Sequence, residues 1–154
     1  METDLKWMRA SASMPVVSRP VPVDGYLLLD GGISDAVPYR YMETLGYNRN
    51  LIILTQPRGY KKQKSKAGPL VTLLLHRYPA VAKAMAVRHE MYNRQMEEIN
   101  ERERQGKAFV IRPSEDLGIS RTEKDPAELE RVYGLGREEA EKALPGLIRF
   151  LSVR

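Results

Sequence analysis

Residues 27–32 read Leu-Leu-Leu-Asp-Gly-Gly, an apolar run that ends abruptly in an acid and two glycines. The apolar run has the length of a buried strand, which predicts a first strand at residues 27–29. Asp30 would then lie at the carboxyl end of that strand, where open α/β sheets place their ligands. Gly31 and Gly32 have no Cβ, so the backbone can turn sharply there and lie close to a substrate. The pattern makes Asp30 a candidate base; the alternative is that Asp30 merely ends the strand in an Asp-Gly turn.

The rest of the chain alternates helices with two further buried strands. Pro15, Pro20 and Pro22 predict an extended connection before the first strand. Strands are predicted at residues 51–55 and 108–112. Capping and periodicity predict helices at residues 5–12, 39–45, 68–77, 79–104, 125–133 and, after a break at Gly134 and Gly136, 137–151. This alternation favours a parallel sheet with helices on its faces, and three such strands need neighbours from a larger sheet.

In the helix predicted at residues 79–104, side chains at three- and four-residue steps form a stripe that is mostly apolar but includes Arg88. The spacing favours a core stripe over a cofactor site. His76 and His89 are expected to have structural roles, and Trp7 is expected to anchor a core. No metal site and no cofactor are expected, because residues 30–35 lack the alternating acids of a calcium loop and no phosphate-cradling glycine motif occurs.

The net charge of +5 is concentrated in the middle of the chain. Residues 44–89 carry nine basic side chains and no acidic one, whereas residues 1–43 carry four and six, and residues 90–154 twelve and fourteen. The densest part, which we call the basic loop, contains Arg58, Lys61, Lys62, Lys64 and Lys66. Phosphate attracts such a loop, so we expect it to bind anionic headgroups at a membrane surface; the alternative is a solvated connector. Nucleic acid is disfavoured, because only Tyr60 is interleaved with the basic residues.

Composition excludes several classes of protein. Hydrophobic residues make up 42% and charged residues 29% of the 154, as in a soluble globular protein. There is no cysteine, which excludes disulfides, thiol nucleophiles and cysteine-ligated metals. No apolar run approaches the ~20 residues of a membrane-spanning helix, and no signal-peptide pattern is present. We therefore expect a cytoplasmic protein that is at most peripheral to membranes.

Several motifs occur in order along the chain, and together they resemble the second half of patatin-like phospholipases. The first are Arg9-Ala-Ser-Ala-Ser-Met-Pro15, Asp24-Gly25 and Tyr26-Leu-Leu-Leu-Asp-Gly-Gly-Ile-Ser-Asp-Ala-Val-Pro38. Residues 46–60 are similar to a bacterial subgroup of that family. So is the tail, with Val110-Ile-Arg-Pro-Ser114, Glu123-Lys-Asp-Pro126 and Tyr133-Gly-Leu-Gly136. The similarity is expected to run across nearly the whole chain.

The resemblance implies a fold and a function. The fold is α/β, a three-layer α/β/α arrangement of which this chain holds the carboxyl-terminal half of the sheet. Residues 1–66 would belong to the catalytic domain, and residues 67–154 would form a mostly helical carboxyl-terminal region with one strand near 108–112. The family hydrolyses lipid esters with a serine–aspartate dyad, and its Asp-Gly-Gly motif maps onto Asp30, Gly31 and Gly32. Asp30 would take the proton of the serine hydroxyl and return it to the leaving alcohol.

The chain departs from the family pattern because it contains no Gly-x-Ser-x-Gly elbow. Neither Leu117-Gly-Ile-Ser-Arg121 nor Ser11-Ala-Ser-Met14 replaces it, since both lack the flanking glycines on a strand-to-helix turn. We expect the elbow and the oxyanion loop to precede Met1, in a truncated product, a fragment or a split protein. The chain alone is then inactive, and a missing half or a second copy completes the sheet. The alternative function is a non-catalytic α/β module that binds anionic membrane or nucleic acid through the basic loop.

Overall fold

The computed structural model describes residues 2–65, 68–120 and 122–152, a mixture of helices and short strands. The elements, in chain order, are α1 (Glu2–Ser11), β1 (Val21–Val23), β2 (Tyr26–Leu28), a 3-10 helix (Gly31–Ile33), α2 (Tyr39–Thr44), β3 (Asn50–Ile53), α3 (Gly68–Leu74), α4 (Pro79–Arg104), β4 (Ala108–Ile111) and α5 (Pro126–Ser152). The chain divides into two compact units, which we describe separately. Unit 1 is Met1–Pro38 with Lys61–Met96, and unit 2 is Tyr39–Tyr60 with Glu97–Arg154.

In unit 1, the apolar run that precedes Asp30 forms β2, which pairs antiparallel with β1. Asp24 and Gly25 make the turn between them with φ angles of 49° and 83°, the left-handed conformation that Asp-Gly hairpin turns require. Val21 and Val23 of β1 are buried against Ala10 of α1. The prediction that this segment forms a strand of a parallel sheet is therefore wrong.

Strand β1 was not predicted, because the prolines at positions 20 and 22 indicate an extended connection. Pro22 lies opposite Leu27 in the hairpin, where its missing N–H is tolerated because β1 is an edge strand.

Trp7 was predicted to anchor a core but is 47% exposed on α1.

In unit 2, β3 and β4 pair in parallel, as the alternation of strands and helices predicts, with Asn50 opposite Ala108 and Ile53 opposite Ile111. Both strands therefore end at the same edge. Helix α5 packs on β4 through the rings of Phe109 and Phe150, whose centroids are 5.8 Å apart.

Helix α5 is continuous, so the predicted break at Gly134 and Gly136 is wrong. A glycine inside a helix costs about 1 kcal/mol relative to alanine, which weakens a helix without ending it. The start of α5 was predicted: the Asp125 carboxylate accepts a hydrogen bond from the N–H of Ala127 at 2.9 Å, and Pro126 fills the first position.

An ionic network joins α2 to the last turns of α4 within unit 2. Arg102 donates to both carboxylate oxygens of Glu43, at 2.6 and 2.9 Å, and these hydrogen bonds lower the pKa of Glu43. The hydroxyl of the buried Tyr39 donates to Glu98 at 2.5 Å. Burial raises the pKa of Tyr39 above its ordinary value, and its hydrogen bond to Glu98 acts in the same direction.

Candidate active site

Asp30 lies in a tight turn just beyond β2, where it caps the 3-10 helix Gly31–Ile33. Its Oδ1 accepts a hydrogen bond from the N–H of Gly32 at 2.7 Å, and its own N–H donates to the carbonyl of Ser13 at 2.9 Å. Within the described residues no hydrogen bond is made to Oδ2. One carboxylate oxygen therefore fixes the side chain, and the other can accept a proton from a substrate or a nucleophile.

Gly32 lies where the turn meets α4. Arg88 Nε donates to the carbonyl of Gly32 at 2.6 Å. A Cβ on Gly32 would lie 3.1 Å from Asp30 Oδ1 and 3.3 Å from Arg88 Nη2, so the missing side chain lets both groups approach the turn. A Cβ on Gly31, in contrast, would meet nothing within 4 Å. Of the two motif glycines, Gly32 is the one at which a side chain would crowd its neighbours.

A second contact ties the end of the turn to the same helix. Gln95 Nε2 donates to Asp35 Oδ1 at 2.5 Å. Gln95 is buried, and its Oε1 has no hydrogen-bond partner within the described part of the chain. Arg88 and Gln95 lie seven positions apart, two helical turns along one face of α4. The segment from Gly32 to Asp35 is therefore held at both ends by one helix.

Sequence reasoning missed the role of Arg88 and Gln95. Arg88 was assigned to the core stripe of α4, and it does lie half-buried on that face. The signal that could have found it is its charge, because a guanidinium in an apolar stripe needs a partner when it is buried. The partner is a backbone carbonyl, which no residue pattern identifies.

The members of the basic loop have different surroundings. Lys61 and Lys64 are exposed, whereas the backbone of Lys62 is held by Asn93, which accepts from its N–H at 2.8 Å and donates to its carbonyl at 3.0 Å. The Lys62 ammonium lies 4.9 Å from the centre of the Tyr92 ring. In unit 2, Arg58 is paired with Glu103 at 2.6 Å. Lys66, the last of the five predicted basic residues, lies outside the described residues.

Two family models match separate parts of the chain. Residues 5–42 match that of the patatin-like phospholipases, and residues 78–152 match that of a domain of unknown function, DUF6363. Comparison with curated proteins and with solved structures gives no match. The first match contains the Asp-Gly-Gly motif and supports the resemblance at the amino-terminal end of this chain. The tail motifs, in which we expected the same resemblance, lie in the segment that matches DUF6363.

None of the helices in residues 2–65, 68–120 and 122–152 is both long enough and apolar enough to cross a membrane.

Replacing Gly32 and replacing Gly31 by alanine should have different effects on stability. In Gly32→Ala the new methyl group presses on Asp30 and Arg88, so we expect the free energy of unfolding to fall by about 1 kcal/mol or more. In Gly31→Ala the methyl group meets open space, and the stiffer unfolded chain should leave stability unchanged or raise it by up to about 1 kcal/mol. Urea unfolding of both variants measures this. Equal effects of the two substitutions would contradict the geometry.

Proposed function

We propose that this chain supplies the aspartate of the serine–aspartate dyad of a patatin-like lipid acyl hydrolase, which cleaves the carboxylic ester of a phospholipid or another lipid. The observation that carries the proposal is the Asp30 carboxylate, in the segment that matches the patatin-like model, with one oxygen fixed by Gly32 and the other without a hydrogen bond in the described residues. The surrounding Asp-Gly-Gly motif and the contacts with α4 support it.

The chemistry requires Asp30 to act as a proton shuttle. A serine Oγ attacks the ester carbonyl while Asp30 Oδ2 takes its proton, and the leaving alcohol carries that proton away. A water molecule then attacks the acyl-serine ester and gives a proton to Asp30. When the ester bond to the serine breaks, the proton returns to the serine and the fatty acid leaves. Because Oδ1 keeps its hydrogen bond to Gly32, the carboxylate is held in one orientation throughout.

The serine must come from outside these 154 residues, since no Gly-x-Ser-x-Gly elbow occurs in them. The proposal therefore assigns this chain the role of a partner to a second segment that carries the elbow and the oxyanion donors. The matched segments, 5–42 and 78–152, lie on either side of the predicted boundary at residue 66, which remains a prediction. We propose that the patatin-like part carries the dyad aspartate and that the helical part is a separate region.

The test compares two aspartates in the protein isolated from its source cells through a carboxyl-terminal tag, with whatever further segments it carries. Asp30→Asn should lower kcat for a p-nitrophenyl ester by about 10²- to 10⁴-fold, because the general base is lost. Asp24→Asn, a matched change in the exposed hairpin turn, should leave kcat unchanged. The 154-residue chain alone should show no labelling by a fluorophosphonate probe. Stoichiometric labelling of that chain, or an Asp30→Asn variant as active as the parent, would contradict the proposal.

A second candidate function is attachment to anionic membranes through the basic loop. Lys61 and Lys64 are exposed, and Asn93 holds the backbone of the intervening Lys62 with two hydrogen bonds. The two exposed ammonium groups therefore extend from a segment whose backbone is fixed. Each basic side chain near an anionic surface contributes about 1 kcal/mol, and salt screens the attraction.

Replacing Lys61, Lys62, Lys64 and Lys66 by glutamine should weaken co-sedimentation with phosphatidylserine vesicles at low salt and leave binding to neutral vesicles unchanged. The control variant also loses four positive charges, by replacement with glutamine of four exposed lysines outside the loop: Lys6, Lys83, Lys107 and Lys124. If the basic loop attaches the protein to the membrane, the loop variant should bind phosphatidylserine vesicles more weakly than the control variant. Equal binding by the two variants would show that any affinity comes from the net charge and not from the loop.

A further inference from the structure

Unit 2 contains an apolar cavity of about 200 Å³ at the carboxyl ends of β3 and β4. Ile53 at the end of β3, the next residue Leu54, and Ile111 at the end of β4 form one side, and α5 contributes Val132 and Leu135. The carboxyl ends of neighbouring parallel strands are where α/β sheets bind ligands. Because the apolar walls come from three separate elements, the cavity is a cleft between those elements and not a groove on a single helix.

A second cavity of about 390 Å³ adjoins it and is lined by charged side chains. The two cavities share the lining residues Ile111, Arg112, Pro113 and Glu139, so they lie next to each other. The further charged residues of the larger cavity are Arg58, Glu103 and Lys142. We call the smaller cavity the apolar end and the larger one the charged end of the candidate site; the charged end alone falls within the roughly 300–1,000 Å³ of small-molecule sites.

The charged end has an excess of positive charge. Arg58 and Arg112 both pair with Glu103, at 2.6 and 2.7 Å, so two guanidinium groups share one carboxylate. The Arg112 side chain is only 11% exposed, and this burial lowers its pKa, while the Glu103 carboxylate acts in the opposite direction. Lys142 is 66% exposed and lies 3.7 Å from both Glu139 and Glu138, of which only Glu139 lines the cavity. Among the lining residues, three cations face two carboxylates, and this excess of one positive charge favours an anionic ligand group.

Gly136 is the glycine of α5 that lines the apolar end. It lies inside α5 and lines the smaller cavity, and a Cβ built on it would meet no atom within 4 Å. A glycine at this position costs the helix about 1 kcal/mol relative to alanine, and no steric contact requires it. Because Gly136 lines the smaller cavity, we expect a large side chain at this position to reduce its volume. Gly134, two positions earlier, has equally open surroundings but does not line either cavity.

We propose that the two cavities form one binding site for an anionic amphiphile, a medium-chain carboxylate whose apolar chain occupies the smaller cavity and whose carboxylate lies at Arg58, Arg112 and Lys142. The apolar end accepts the hydrocarbon chain, since burying it removes apolar surface from water. The positive end accepts the carboxylate, with Arg112 held in place by Glu103 and by Asn100 Oδ1 at 2.9 Å. The site is built only from residues of unit 2, so the proposal does not depend on the role of Asp30.

The test is calorimetric titration of the whole chain with octanoate, below the concentration at which it forms micelles, and with octanol as the neutral analogue. The parent should bind octanoate more tightly than octanol. Gly136→Leu should weaken binding of both by more than about tenfold, because leucine fills the apolar cavity, and tenfold is about 1.4 kcal/mol. Gly134→Leu is the matched control and should bind as the parent does. Leucine favours helix over glycine, so thermal melts should show both variants folded.

A surface variant tests the charged end without touching the core. Lys142→Gln should weaken binding of octanoate by about two- to fivefold, the effect of an exposed charge, and leave binding of octanol unchanged. Lys124→Gln, an exposed lysine outside the site, is the control. The proposal is overturned if the folded parent does not bind octanoate, if Gly136→Leu binds it as well as Gly134→Leu does, or if Lys142→Gln changes the binding of both ligands equally.

Discussion

The hydrogen bond from Arg88 Nε to the carbonyl of Gly32, 2.6 Å long, is the contact on which the geometry of the candidate active site depends. It joins the short turn Gly31–Ile33 to the long helix α4. The two glycines of this turn have no side chains that could pack against the rest of the protein, and glycine loses more conformational freedom on folding than any other residue. A charge-assisted bond to a half-buried guanidinium offsets part of that loss. Gln95 adds a second tie at Asp35, so α4 holds the position of Asp30.

The arrangement around Asp30 differs from the one expected at the edge of an open parallel sheet. There, neighbouring strands would fix the carboxylate; here, β2 has an antiparallel partner in β1, and a helix provides the remaining contacts. Gly32 is what allows this, because Asp30 Oδ1 and Arg88 Nη2 both lie within 3.3 Å of the point that a Cβ would occupy. The Asp-Gly-Gly motif thus has a local physical meaning whether or not a serine is supplied to it.

Much of the secondary structure could be predicted from local signals. The bounds of α4 follow from Pro79 at its start and Gly106 beyond its end, and the parallel pairing of β3 and β4 follows from the helix between them. Strand β1 could not be predicted, because Pro20 and Pro22 are typical of an extended connection. Proline is nevertheless allowed in an edge strand, where its missing N–H is not needed for pairing. The predicted break at Gly134 and Gly136 was wrong because glycine weakens a helix without ending it, and α5 continues through both residues. In the candidate site, the turn that follows the strand at Asp30 was the alternative to the expected sheet edge. The contact with Arg88 could not be predicted, since its partner is a backbone atom.

The measurement that most directly tests this account is hydrogen exchange at the Gly32 amide, followed by NMR in the parent, in Arg88→Met and in Arg88→Lys. The Gly32 N–H donates to Asp30 Oδ1, so its protection reports whether the turn is held. The account predicts protection in the parent, loss of most of it in Arg88→Met, and partial retention in Arg88→Lys, which keeps a charge that can reach the carbonyl. An unprotected Gly32 amide in the parent, or equal protection in the parent and Arg88→Met, would show that Arg88 does not position the turn.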